Sequence, residues 1–306
     1  MQDANIRKTA VPRFEGVWVP LVTPFADGKV DEDNLRKLVR HVRTHRVQGL
    51  LACGTVGEAA SLDEQEQARV LDTVLAEAEG LPVIMGLTAG NQAAALAMAR
   101  EWGRRPLAGL LVAAPPYALP AQDGLLAWFR AIADAAPCPV ILHDVPHRTG
   151  VRVAMATLLA LAGHPNIAAV IDCGGSDEKT LALIADGRLA VLAGDDLRAF
   201  STLCMGGGGC LCACAHLRPD LFVALYEAVR AGQLAQARAL FHLLAPLAQL
   251  AGAEPSPGPL KAALAALHGF SAAVRPPLLA ANPLLQDALL HAAAAPVSRA
   301  DAGAGG

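Results

Sequence analysis

The sequence carries no excess of basic charge. Its 25 Lys and Arg against 28 Asp and Glu give a formal net charge of −3, which leaves no electrostatic footprint for nucleic acid. Long hydrophobic runs are missing too. Apolar stretches such as GLLVAAPP (109–116) and PCPVILHDVP (137–146) fall well short of the ~20 residues that a membrane helix requires, so no membrane partner is expected. The opening MQDANIRKTAVPRFEG has no apolar segment followed by a small-residue cleavage site, which argues against secretion and makes the cytoplasm the expected location. The 7 cysteines show no disulfide-type framework and suit a reducing compartment. Lysine is scarce: Lys8, Lys29, Lys37, Lys179 and Lys261 are all there is.

What is present is apolar bulk. Hydrophobic residues make up 54% of 306 positions, enough to bury a large core in a length that α/β barrels fill as one domain. Eight short apolar or Gly-flanked runs recur along the chain: GVWVPLVTPF, GLLACG, PVIMGL, GLLVAAP, PVILHDV, IAAVID, LAVLAGDD and GCLCACA. Helical patterns separate them. Leu35, Leu38, Val39 and Val42 follow helix-face spacing; Ser61 and Glu64 read as a capping box before Val70, Leu71 and Val74; Leu125, Trp128, Phe129 and Ile132 form a third stripe. Strand and helix alternate eight times with almost continuously apolar strands, the pattern of a parallel sheet covered on its outside. The expected fold is an α/β (β/α)₈ barrel. Its strands and their connections span 13–219, and 220–295 hold the last barrel helix plus an appended helical layer that includes GPLKAALAALHG and PPLLAANPLLQDALLHAAAA. Residues 1–12 and 296–306 are small and polar and are expected to be flexible. No repeat beyond the βα unit is visible.

Barrel active sites lie at the C-terminal strand ends, which directs attention to Thr55, Val56, Gly86, Pro115, Tyr117, His143, Asp144, Ile171, Asp172, Asp195, Asp196, Cys212 and Cys214. The alternating thiols Cys210, Cys212 and Cys214 invite a metal reading. In a strand they share one face at ~3.3 Å rise per residue, so the outer two sit roughly 13 Å apart and do not meet on one ion; core packing is expected instead. Asp144 and Asp172 follow His143 and Ile171 by one residue and point away from the lumen those two enter. A structural role is expected for the aspartates, and neither a metal nor a cofactor is called for. The loop CGTVGEAASL is different: Gly54 and Gly57 permit close backbone approach, and the amides around Thr55 and Val56 suit a small carboxylate.

The segments GVWVPLVTPFADGKVDEDNLRKLV, GTVGEAASL, LHDVPHRTGV, HPNIAAVIDCGG, LAGDD, EPSPGPLKAAL and VRPPLL together resemble the dihydrodipicolinate synthase and N-acetylneuraminate lyase family of class I aldolases, over nearly the whole chain. The resemblance implies a (β/α)₈ barrel with extra C-terminal helices, a homo-oligomer built as a dimer of dimers, and lyase chemistry through a pyruvate Schiff base on lysine. Laid over the family motifs without gaps, the Schiff-base lysine falls at Ile171 and the proton-relaying tyrosine at His143. Tyr117 matches the tyrosine that reaches into a neighbouring subunit's site. Thr55 matches the hydroxyl linking the tyrosines, Val56 replaces a second hydroxyl, and Arg148 is retained for a substrate carboxylate. An imine needs an amine, and isoleucine has none. The candidate catalytic residues are therefore His143, Tyr117 and Thr55, and the candidate substrate-binding residues are Thr55, Val56, Arg148, Ile171 and Cys212. Three readings stay open: proton-transfer chemistry on a 2-oxo or hydroxy acid through His143, a catalytically silent carboxylate-binding or partner protein, and a metal-assisted aldolase or decarboxylase.

Overall fold

The computed structural model describes residues 14–296; the expectations for residues 1–12 and for the chain from 297 onward lie outside it. Eight strands form the sheet: β1 (Gly16–Pro20), β2 (Gly49–Ala52), β3 (Val83–Leu87), β4 (Gly109–Ala113), β5 (Val140–Asp144), β6 (Ile167–Asp172), β7 (Ala190–Ala193) and β8 (Gly209–Leu211). Each pairs in parallel with the next, and β8 closes onto β1. The expected barrel is the observed one. A two-stranded antiparallel hairpin, Phe25–Ala26 with Lys29–Val30, follows β1.

Two apolar shells result from strand parity. Trp18, Leu51, Ile84, Leu111, Ile141, Ala169, Ile171, Leu192 and Leu211 fill the lumen, whereas alternate strand residues pack outward against helices. The helices form where the spacing placed their stripes. Leu35, Leu38, Val39 and Val42 are the buried face of Glu32–Arg43, and Leu125, Trp128, Phe129 and Ile132 lie on that of Gln122–Ala135. Pro219–Arg230 is the last barrel helix, followed by Leu234–Ala251, Gly258–His268 and Pro283–Ala293.

Three local expectations are corrected. The capping box of helix Glu64–Glu77 is made by Asp63 and Glu66, not Ser61 and Glu64. Ser61 ends a 3₁₀ turn, Ala59–Ser61, which moves the helix cap two residues on, to Asp63. The last helix starts only at Pro283, capped by the Asn282 side chain, because a proline is tolerated in the first turn but holds the residue before it in extended backbone and lacks the amide that a helix running through it would need. Finally, GCLCACA is a strand only as far as Leu211, and Ala213–His216 forms a 3₁₀ turn.

Candidate functional site

At the C-terminal mouth of the barrel lies a cavity of about 820 Å³, and a smaller lobe of about 130 Å³ opens beside it. Thr55, His143, Val145 and Arg148 line both lobes. Val56, Cys173, Gly194 and Asp195 complete the larger one, and the chain from Ala248 to Ser256 reaches over it from the appended helices.

The Thr55–Val56 loop is held from behind. Gly86 on β3 has no side chain, and a Cβ there would stand 2.1 Å from the Cys53 carbonyl, so only glycine lets the loop descend onto the sheet. Thr23 Oγ1 donates to the Gly57 carbonyl at 2.7 Å. Glu58, buried in left-handed backbone at φ 54, pairs with the buried Lys261 at 2.5 Å and accepts from the Arg275 amide at 2.8 Å. Arg275 in turn forks onto Glu66 and donates to the Ser61 and Gly28 carbonyls. Burial pulls the Lys261 ammonium down to about 8, against the opposing pull of Glu58. This network explains the structural roles of EPSPGPLKAAL and VRPPLL: they brace the loop. Among the described residues, neither the Thr55 and Val56 amides, nor Thr55 Oγ1, nor the Arg148 guanidinium has a protein partner, which leaves the polar groups at this mouth available to an anion.

His143 stands at the end of β5, in register with Ile171 on β6. Its Nε2 lies 3.3 Å from Cys173 Sγ, and that sulfur lies 3.3 Å from the Gly194 carbonyl oxygen. Burial, reinforced by the charge of His147, lowers the His143 imidazole to about 4, so it is a neutral proton acceptor at pH 7. Burial and then Asp172, Asp195 and Asp144 push the Cys173 thiol far up. Asp196 accepts from the Cys214 and Ala213 amides at 2.8 and 3.2 Å; burial outweighs those bonds and raises its carboxyl to about 6.

Asp144 and Asp172 point out of the lumen, as strand alternation requires. Behind the sheet both meet Lys179, from helix Asp177–Asp186. Asp144 also accepts from the Val153 amide, and Asp172 from the Gly174 and Gly175 amides and the Thr180 hydroxyl.

The fold thus brings together Thr55, Val56, His143 and Arg148. Within one chain it does not bring Tyr117 to them: that side chain is 99% exposed at φ 71 on the connection after β4. Ile171 is fully buried in the lumen packing, and the next inward position, Cys173, lines the cavity in its place. Cys212 is the clear misplacement. It is buried outside the sheet with Cys210 and Cys214, and Leu211 faces the lumen. Among the described residues no three His, Cys, Asp or Glu side chains gather into a metal-holding group, and no helix is long and apolar enough to cross a membrane.

A family model described as the dihydrodipicolinate synthetase family matches residues 13–295. The 4-hydroxy-tetrahydrodipicolinate synthase of Trichlorobacter lovleyi is 38% identical over 269 residues, 87% of this chain and 92% of that protein. Among solved structures, dihydrodipicolinate synthase from Thermotoga maritima superposes with a TM-score of 0.89 at 27% identity, covering 92% of this chain and 98% of that one. The chloride-inhibited enzyme from Acinetobacter baumannii, solved with pyruvate, gives 0.87 at 31% identity over 91% and 97%.

Proposed function

The chain belongs to the dihydrodipicolinate synthetase family, and from that premise we propose that it binds a small 2-oxo or hydroxy acid at the barrel mouth without forming a Schiff base. The observation that carries the reading is the lack of an amine there. Of the described lysines, Lys29 and Lys37 are exposed, Lys179 is engaged behind the sheet and Lys261 is buried against Glu58; none lines either lobe. The family's lysine position, by alignment of HPNIAAVIDCGG, is Ile171.

In this reading the Thr55 and Val56 amides and the Thr55 hydroxyl take the carboxylate, as unpaired donors in a glycine-bounded loop can. Arg148 holds a second acidic group or the same carboxylate from its other side. His143, neutral at pH 7, accepts or returns a proton at the carbon next to the carbonyl. Relatives carry the name 4-hydroxy-tetrahydrodipicolinate synthase; this chain has no appreciable activity of that kind, because general acid–base work contributes only ~10²–10⁴-fold and supplies no electron sink. The protein works in the cytoplasm as a homo-oligomer, a dimer of dimers joined through the surface that carries Tyr117, a state that sedimentation would read directly.

Borohydride reduction in the presence of pyruvate, followed by peptide mass spectrometry, tests the central claim. No reduced adduct is expected on the natural protein, and one is expected on the Ile171→Lys variant. An adduct on any lysine of the natural chain overturns the reading. Calorimetry tests the binding half: Arg148→Ala is expected to weaken pyruvate by tenfold to a hundredfold, the loss of about 1.5–3 kcal/mol for a charge-assisted hydrogen bond. No heat with any of a panel of 2-oxo acids would leave an empty scaffold.

A further inference from the structure

The reading above uses His143 and leaves its neighbour, the Cys173 thiol, without a role. The thiol sits at the first inward position beyond β6, on the wall of the 820 Å³ cavity, within 3.3 Å of an imidazole nitrogen. That imidazole has no protein partner on its other nitrogen, Nδ1, among the described residues, so its tautomer is free to change. The cavity's unpartnered guanidinium, Arg148, lines the same space.

We propose that Cys173 is a covalent nucleophile toward the carbonyl carbon of the bound 2-oxo acid, giving a reversible thiohemiketal with His143 as the proton carrier. The inference rests on the binding reading above. The step balances without any further reactant. The sulfur–carbon bond forms as the carbonyl π bond breaks, the S–H proton passes to His143 Nε2, and that proton then goes to the former carbonyl oxygen. Nothing is oxidised or reduced and no group leaves. The adduct occupies the place beside Ile171 with a tetrahedral carbon instead of an imine.

Three features favour it. The S–H has two acceptors within reach, the Gly194 carbonyl oxygen and His143 Nε2, so turning it from the first to the second puts the proton on the base without moving the sulfur. A neutral imidazole is the form able to accept it. Burial, and then the carboxylates around the thiol, oppose free thiolate, which slows attack but also makes the sulfur a poor leaving group, so an adduct that forms is slow to break down. Slow, tight, reversible capture follows, not turnover, because a thiohemiketal places no electron sink next to the carbon that would become a carbanion.

The test is carbon NMR of the full-length protein with [2-¹³C]pyruvate, run beside calorimetry on the same samples. The expected result is a protein-bound resonance moved from the carbonyl to the saturated-carbon region. It should be absent in Cys173→Ala, which should still bind pyruvate noncovalently, and should grow in about 10²-fold more slowly in His143→Gln. Cys204, the exposed thiol, supplies the control: Cys204→Ser should leave the resonance unchanged. Pyruvate binding by calorimetry without a saturated-carbon resonance overturns this proposal and leaves the binding reading standing. The same resonance persisting in Cys173→Ala also overturns it. No binding at all removes both.

Discussion

Replacing Lys179 by methionine is expected to lower the unfolding free energy by about 3–5 kcal/mol, the cost of leaving buried charge without its partner. Lys179 is 12% exposed and its two partners, Asp144 and Asp172, are 1% and 3% exposed. Methionine is unbranched and only one atom shorter than lysine, so the loss measures charge far more than volume. Each aspartate is also bonded to backbone amides, of Val153 on one side and of Gly174 and Gly175 on the other. The damage should therefore spread to the ends of β5 and β6, where His143 and Cys173 stand. Urea unfolding at pH 7 reads the effect. A loss under about 1 kcal/mol, the range of exposed pairs, would show that the lysine is not what holds the two strand ends. Changing Asp144 and Asp172 to asparagine together with Lys179→Met should recover part of the loss, since the uncompensated carboxylates are then gone.

Stability is expected to fall as the pH drops from about 6.5 to about 4, and two histidines set that window. His143 and His216 are both held down to about 4 by burial. For His216 the hydrogen bonds give the reason in atomic terms. Its Nε2 accepts from the Val22 amide at 3.2 Å while Nδ1 bonds the Ala213 carbonyl at 2.8 Å, and an amide can only donate, so the ring must be neutral with its proton on Nδ1. Protonation breaks the Val22 bond. Since the folded pKa lies below the unfolded one, the unfolded chain binds more protons through this window. The stabilisation is complete above 6.5 and gone at 4, on the order of 3 kcal/mol for each ring. Asp196 works the other way. Its carboxyl is raised to about 6, so its contribution is present at low pH and is lost as the pH rises through 6, offsetting roughly one histidine. The net expectation is a loss of about 3 kcal/mol between pH 7 and pH 4.5, read by urea midpoints at the two values. His216→Asn should flatten the dependence and Asp196→Asn should steepen it. A flat profile in the natural protein would contradict the burial argument for both rings.

Some of this molecule could be read directly from its residues. Eight apolar runs divided by helix-spaced stripes specify a parallel barrel, because a strand buried on both faces needs no polar alternation and a helix that covers it shows a single apolar stripe. Alternation along a strand also put Asp144 and Asp172 behind the lumen positions His143 and Ile171, and the register between β5 and β6 bears this out. The same absence of polar alternation is what hid the inward face of β8. GCLCACA is small and apolar at every position, so the choice between Leu211 and Cys212 is made by pairing with β1, Gly16 to Gly209 and Trp18 to Leu211, and not by composition.

Tertiary structure alone decided the rest. Cys173 lies just past the end of its strand, where no local pattern fixes direction, and becomes an inward residue only because the chain keeps its alternation for one step beyond Asp172. The partners of Lys179 come from 35 and 7 positions away in sequence, and a lone lysine on a helix does not announce two buried aspartates. The brace of Lys261, Arg275, Glu58 and Glu66 likewise joins positions more than 200 apart. Local periodicity specifies elements, since it depends on neighbours three or two residues away. The mouth of a barrel is assembled from the ends of different strands, and which side chains meet there follows from register and closure, which no short stretch of the chain contains.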